Sequence, residues 1–169
     1  METDISAPNC ILTKERIRRA IRRMAFQIAE NNASETSVIL VGIIGNGSVV
    51  SRQVRDELTR IINLPVTLNM VTLNKKKPLD AYINEEMDFN DKVIIVIDDV
   101  SNTGKTLLYA LKPFLLFEPK KIQTLVLVER SHKLFAVQPD YVGLSVATTL
   151  QEHITVKIEA EQITGAWLH

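Results

Sequence analysis

Cysteine is nearly absent. Cys10 is the only one in 169 residues, so no intrachain disulfide framework can form and no cysteine-rich metal site can be built. None of the three histidines stands at metal-ligand spacing from another ligand. An excess of charge of either sign is also missing. With 20 Lys and Arg against 20 Asp and Glu, any attraction to nucleic acid needs a local patch rather than a general field. No apolar run approaches the roughly 18 residues of a membrane span, and "METDISAPNC" lacks a secretory signal pattern. These absences lead to the expectation of a reduced, cytoplasmic protein with no membrane contact. What remains is an ordinary globular composition, 46% hydrophobic and 24% charged, in a length suited to one domain with a sizeable core.

Periodicity supplies the elements. In "TKERIRRAIRRMAFQIAENN" the apolar residues Ile17, Ile21, Met24 and Ile28 form one face of an amphipathic helix, with Thr13 as its N-cap. "SVILVG" (37–42) is short and continuously apolar, which predicts a strand buried on both faces. "GNG" (45–47) predicts a turn, and "SVVSRQVRDELTRII" a helix. "VTLNMVTL" (66–73), "KVIIVI" (92–97) and "IQTLVLVE" (122–129) predict three further strands. Residues 74–91, carrying "KKKP", predict an exposed loop. "GKTLLYALKPFLLF" predicts a buried helix that Pro113 kinks or ends. "PDYVGLSVA" and "ITVKIEA" are short strand candidates. Strands alternating with helices predict an α/β fold, a parallel sheet of four or five strands flanked by helices.

Chemistry concentrates in "VIIVIDDVSNTGKT" (93–106), where an apolar strand runs into Asp98 and Asp99. Ligands of parallel sheets sit beyond the carboxyl ends of the strands. Consecutive strand residues point to opposite faces, so the two acids are expected to address one ligand only where the strand has ended. The expectation is therefore a loop from Val100 to Thr103 and a helix opening at Gly104. Such a loop offers free N–H groups and the positive end of a helix dipole, joined by the hydroxyls of Ser101, Thr103 and Thr106. Acceptors beside donors complement a ligand with hydroxyls on one side and a phosphate on the other, as in a ribose 5-phosphate. An ATPase phosphate loop is excluded, because its pattern needs glycine at position 99, which is aspartate. The alternative is that the acids merely cap a turn.

The same stretch resembles the phosphoribosyl-pyrophosphate signature of type I phosphoribosyltransferases. The resemblance extends through "ERIRRAIRRMAFQIAENN", "VILVGI", "IQTLVLVERSHKL" and "PDYVGLSVAT". Those segments are most similar to the uracil phosphoribosyltransferases that double as attenuation regulators of pyrimidine operons. The resemblance implies one phosphoribosyltransferase domain over residues 1–169, with a small C-terminal hood over the strand ends. It implies transfer of the 5-phosphoribosyl group from phosphoribosyl pyrophosphate to a pyrimidine, uracil, with Mg²⁺ and release of pyrophosphate. Asp98 and Asp99 are then expected to hold the ribose hydroxyls and to sit near the metal. Ser101, Asn102, Thr103, Gly104, Lys105 and Thr106 are expected around the 5-phosphate. Gly45, Asn46 and Gly47 match the pyrophosphate loop, although "GIIGNG" lacks the Lys or Arg usual there; a plain tight turn is the alternative. Residues 74–91 match a mobile lid, with Lys76 and its neighbours Lys75 and Lys77 as its cations, or else a solvated turn.

Base and partner are implied by the same resemblance. Relatives acting on 6-oxopurines carry aspartate at the Asn102 position and lysine at the Glu129 position, and both departures point away from a purine. Arg130, Tyr141 and Val142 match the residues around the base and uridine monophosphate, with a structural Tyr141 as the alternative. Arg16, Arg18, Arg19, Arg22 and Arg23 crowd the first helix. In the regulators this helix contributes to a dimer-spanning RNA surface, so a homodimer and an RNA partner are expected. A solvated face with intrahelical pairs is the competing reading.

Overall fold

The computed structural model describes residues 8–169. The run VILVGI forms β2 (Val38–Ile43), and all six of its residues are buried, as expected of a strand covered on both faces. Its neighbours are β3 (Val66–Thr72) and β5 (Val93–Ser101), both parallel to it. Beyond β5 lie β6 (Lys121–Arg130) and β7 (Tyr141–Val146), also parallel, and β4 (Tyr82–Ile83) adds a short antiparallel edge. The order is therefore β4-β3-β2-β5-β6-β7. The chain winds outward in one direction from β2 and in the other from β5. Their junction is the topological switch point, where a crevice opens at the carboxyl ends.

Successive residues of β5 serve two cores. Ile95 and Ile97 face α1 (Lys14–Asn31) and α2 (Asn46–Ile61), meeting Ile21, Met24, Ile28, Val50, Val54 and Leu58. Ile94 and Val96 face the other side, toward Phe89, Leu107 and Phe114. Phe89 meets Phe114 edge to face, with ring centroids 5.0 Å apart. The expected α1 face is the one buried, and the Thr13 hydroxyl accepts the Arg16 N–H as N-cap. α3 (Lys105–Ala110) stops short of Pro113, and a 3₁₀ turn (Lys112–Leu116) takes over with the proline in its first turn.

Four expectations need correction. The central sheet has six strands, five of them parallel. The hood is a separate antiparallel sheet, β1-β9-β8, made of β1 (Cys10–Thr13), β8 (Ile154–Glu159) and β9 (Gln162–Leu168). It draws on both ends of the described chain: β9 pairs with β1 on one side and with β8 on the other. Residues 74–91 are anchored rather than wholly exposed: Phe89 is buried, and Asn69 of β3 clasps Glu85 through both its N–H and its carbonyl. Finally, β5 does not end at the acids. Val100 and Ser101 still pair with Val128 and Glu129, and the loop begins at Asn102. No helix among the described residues is long and apolar enough to cross a membrane.

Candidate active site

The end of β5 brings both acids to one ammonium. Lys75 Nζ lies 3.1 and 3.2 Å from the two Asp98 carboxylate oxygens and 3.8 Å from Asp99 Oδ1. A strand running through Asp99 would ordinarily separate the two side chains. They converge because Asp98 Oδ1 turns along the chain to accept the Asp99 N–H at 2.9 Å. Asp98 and Asp99 are both buried. Burial, and then the neighbouring Asp99 charge, push the Asp98 carboxyl up to about 7, outweighing the opposing pull of Lys75.

The turn after β2 supports this pair. Gly45 has φ +106° as N-cap of α2, a conformation that glycine reaches without strain. Gly47 sits where a Cβ would lie 2.9 Å from the Ile97 carbonyl oxygen and 3.0 Å from Asp98 Oδ1. Only a hydrogen lets the first turn of α2 close on β5. Asn46 then donates from Nδ2 to Asp99 Oδ2 at 2.9 Å and to the Val156 carbonyl of the hood at 3.2 Å. One carboxamide joins helix, acid and hood.

Beyond β5 the loop turns at Gly104, φ +87°, and the Thr103 hydroxyl accepts the Lys105 N–H. The Thr103 carbonyl accepts the N–H groups of Leu134 and Phe135, which ties the loop to the 134–135 segment. α3 has only six residues, so local N–H and hydroxyl groups, rather than a long helix dipole, make the anion-binding character. Ser101 Oγ is buried and has no hydrogen-bond partner among the described residues. A cavity of about 270 Å³ runs from Asn46, Lys75 and Asp99 past Ser101–Thr106 to Ile154, Thr155 and Val156. The hood residues escaped sequence reasoning, since ITVKIEA signals a strand but not which wall it faces. A second cavity of about 420 Å³ shares Asn102 and Thr103 and is bounded by Arg130, His132, Leu134 and Thr148–Leu150.

Several expected residues stand elsewhere. Lys76 does not line the cavity; its backbone N–H donates to Asn74 Oδ1, and Lys75 is the lysine that lines the cavity. Tyr141 is buried at the start of β7, its hydroxyl donating to Gln123 Oε1 and accepting from Asn31 Nδ2. Burial raises its phenol above the usual range. That ring packs in the core and lines neither of these two cavities. The Val142 carbonyl accepts from Arg23, and in the sheet register Val142 lies two strands from Asp98, across Val126. Arg130 lines the second cavity, but its guanidinium is committed to Thr148 Oγ1 and the Thr149 carbonyl, holding that wall in place. Glu129 is neutralised by Lys133 at 2.9 Å.

The first helix also divides. Arg18 and Arg19 pair with Glu15 at 3.3 and 3.6 Å. Arg23 donates to the Val142 and Gly143 carbonyls at 3.1 and 2.8 Å, so it braces β7. Arg22 lies over the half-exposed Phe26 ring, and a groove between α1 and α2 collects Arg18, Arg19, Arg22, Phe26 and Arg60. Glu57 at its edge pairs with Arg60.

Chemically, a buried carboxylate pair with an ammonium seated on it has the charge to hold a cation. No group of three or more His, Cys, Asp or Glu side chains stands together among the described residues. A divalent ion held there would need its remaining ligands from water and substrate, which suits Mg²⁺. The donor set fits it.

The Phosphoribosyl transferase domain family matches residues 9–160. The chain is 34% identical over 160 residues to a protein named Bifunctional protein PyrR of Halalkalibacterium halodurans, covering 88% of this chain and 89% of the relative. It is 31% identical to the protein of that name from Haemophilus ducreyi, over 88% and 89%. Among solved structures, a hypoxanthine phosphoribosyltransferase of Trypanosoma cruzi superposes with a TM-score of 0.77 at 15% identity, over 94% and 95% of the two chains. A hypoxanthine-guanine phosphoribosyltransferase of Bacillus anthracis does so with a TM-score of 0.74 at 16% identity, over 94% and 96%. At those identities the superpositions speak for the fold alone. The family match spans most of the described residues, and the chain belongs to the phosphoribosyltransferase family.

Proposed function

We propose that the whole chain, as one cytoplasmic phosphoribosyltransferase domain, transfers the 5-phosphoribosyl group of phosphoribosyl pyrophosphate to uracil. One observation carries the reading: a single cavity joins Asp99 and Lys75, whose ammonium bridges Asp98 and Asp99, to the donors of Ser101–Thr106. The acids accept the ribose 2- and 3-hydroxyls. The loop N–H groups and the hydroxyls of Thr103 and Thr106 hold the 5-phosphate, with the Lys105 charge beside them. Ser101 Oγ, buried without a partner among the described residues, has a hydrogen bond left to give to a ligand. The N–H groups of Gly45–Gly47 face the pyrophosphate. Bound Mg²⁺ supplies charge neutralisation to that leaving group. The carboxylates tolerate positive charge developing on the ribose ring as the base nitrogen displaces pyrophosphate from carbon 1.

The base occupies the adjoining cavity that shares Asn102 and Thr103. Asn102 is a poor proton acceptor for a purine imidazole, and Glu129, tied to Lys133, offers no donor to a 6-oxo group. Both features favour a pyrimidine. The test is a panel of bases with phosphoribosyl pyrophosphate and Mg²⁺, read by pyrophosphate release. Uracil should react; hypoxanthine or guanine reacting in its stead would refute the base assignment.

A second reading is an RNA-binding regulator of pyrimidine genes governed by the nucleotide in this pocket. The groove of Arg18, Arg19, Arg22 and Arg60 around exposed Phe26 favours it, as do relatives named bifunctional. A homodimer would double that basic surface. Hairpin RNA binding should weaken steeply with salt and respond to uridine nucleotides; affinity indifferent to both would dismiss the regulator.

A further inference from the structure

In the proposed transfer the Ile43–Gly47 turn faces the pyrophosphate, yet it contains no Lys, Arg or His. Backbone N–H groups can approach an anion there, but no full positive charge meets it from that turn. A cation arrives from the next strand. β3 lies parallel to β2 with Ile43 beside Val71, so the chain leaving β3 emerges next to the turn. Asn74 then shapes the lysine run: its Oδ1 accepts the N–H groups of Lys76 and Lys77 at 3.0 and 3.4 Å. Of the three consecutive lysines, only Lys75 reaches the acid pair, and it also lines the cavity. Its side chain remains 44% exposed, so charge rather than packing holds it there.

We infer that Lys75 is the exchangeable counter-cation of this site. Its ammonium rests on Asp98 and Asp99 in the ligand-free chain, gives way when a divalent cation takes the carboxylates, and then neutralises the pyrophosphate that the Ile43–Gly47 turn leaves without a cation. The inference rests on the phosphoribosyl-transfer reading of the pocket and adds a residue to it. Two cations within contact of the same carboxylates repel each other, so metal arrival and lysine departure are linked. A lysine suits this duty: its compact charge rides on a flexible four-carbon stem and needs no fixed donor geometry.

The test uses the full chain with Lys75→Gln, Lys75→Arg and, as control, Lys76→Gln. Mn²⁺ binding without substrate is monitored by electron paramagnetic resonance, and binding of pyrophosphate with Mg²⁺ by calorimetry. Lys75→Gln should bind Mn²⁺ about ten-fold more tightly and pyrophosphate about ten-fold more weakly, a coupling of ordinary size. Lys75→Arg should restore pyrophosphate binding, and Lys76→Gln should match the parent in both assays. Opposite signs are a pattern that general damage to the loop would not produce. If Lys75→Gln changes neither affinity, or weakens both, the assignment is overturned. If the signs are as stated and no base is ribosylated, Lys75 keeps its role and the transferase reading is the one that fails.

Discussion

Asn46 Nδ2 donates to Asp99 Oδ2 at 2.9 Å across a sequence separation of 53 residues, and the same nitrogen reaches the Val156 carbonyl. The start of α2, the end of β5 and the hood strand β8 therefore share one carboxamide. Replacing it by alanine removes both bonds and leaves an acid without its neutral donor. Asn46→Ala should cost about 1–2 kcal/mol of stability and weaken phosphoribosyl-pyrophosphate binding. Asn46→Asp should be worse for binding, because it sets a third carboxylate against Asp99. Urea unfolding and calorimetry check the two claims.

The acids themselves are the heart of the proposed site. The double variant Asp98→Ala, Asp99→Ala should abolish phosphoribosyl-pyrophosphate binding while retaining the fold by circular dichroism. Unchanged binding in a calorimeter would show that the pocket has been misread.

Gly47 is required by contact. A Cβ there meets the Ile97 carbonyl at 2.9 Å and Asp98 Oδ1 at 3.0 Å, and neither a buried strand carbonyl nor a held carboxylate yields easily. Gly47→Ala should cost about 1–3 kcal/mol through overpacking, with a lower Tm and weaker substrate binding together. Gly45 differs: nothing stands within 4 Å of its would-be Cβ, and its φ of +106° alone opposes substitution. Gly45→Ala should lower Tm through backbone strain without steric displacement of the acids.

Asp98 makes stability depend on pH in a definite direction. Its folded value is raised from 3.8 to about 7, so the folded chain binds more protons than the unfolded chain between those limits. Stability contributed by this group is therefore lost as pH rises from 3.8 toward 7 and the penalty is complete above that. Asp98→Asn cannot titrate. Its stability relative to the parent should climb across the same window, by at most ~4 kcal/mol, since one unit corresponds to about 1.36 kcal/mol. Chemical denaturation of both proteins from pH 4 to pH 8 measures the difference; parallel curves would refute it.

Arginines of the first helix should separate into two classes. Arg23 braces the carbonyls of Val142 and Gly143, so Arg23→Ala should lower stability by about 1–2 kcal/mol. Arg18 and Arg22 line the exposed groove with Phe26, so charge reversal there should leave Tm nearly unchanged and reduce RNA affinity together with its salt dependence. Thermal melts and hairpin-RNA titrations at two salt concentrations distinguish the classes.

The sequence by itself determined the features that neighbouring residues settle among themselves. Ile17, Ile21, Met24 and Ile28 share a face because a helix repeats every 3.6 residues, and that face is buried. The apolar run into Asp98 and Asp99 had to be a covered strand, and the polar residues after it had to sit at the strand ends of a parallel sheet. Tertiary structure decided the features that depend on partners remote in the chain. Tyr141 reads in sequence as a residue beside the base or as a structural one, and its bonds to Gln123 and Asn31 make it structural; Arg23 looked like surface charge until carbonyls 119 and 120 residues away took its guanidinium. Three consecutive lysines carry the same local signal, and only the Asn74 turn beside β2 selects Lys75 for the acids. The hood drew strands from both ends, because open edges of β9 bind whichever chain the fold brings alongside. Periodicity records which face of an element is buried; it carries no record of which distant group will meet it there.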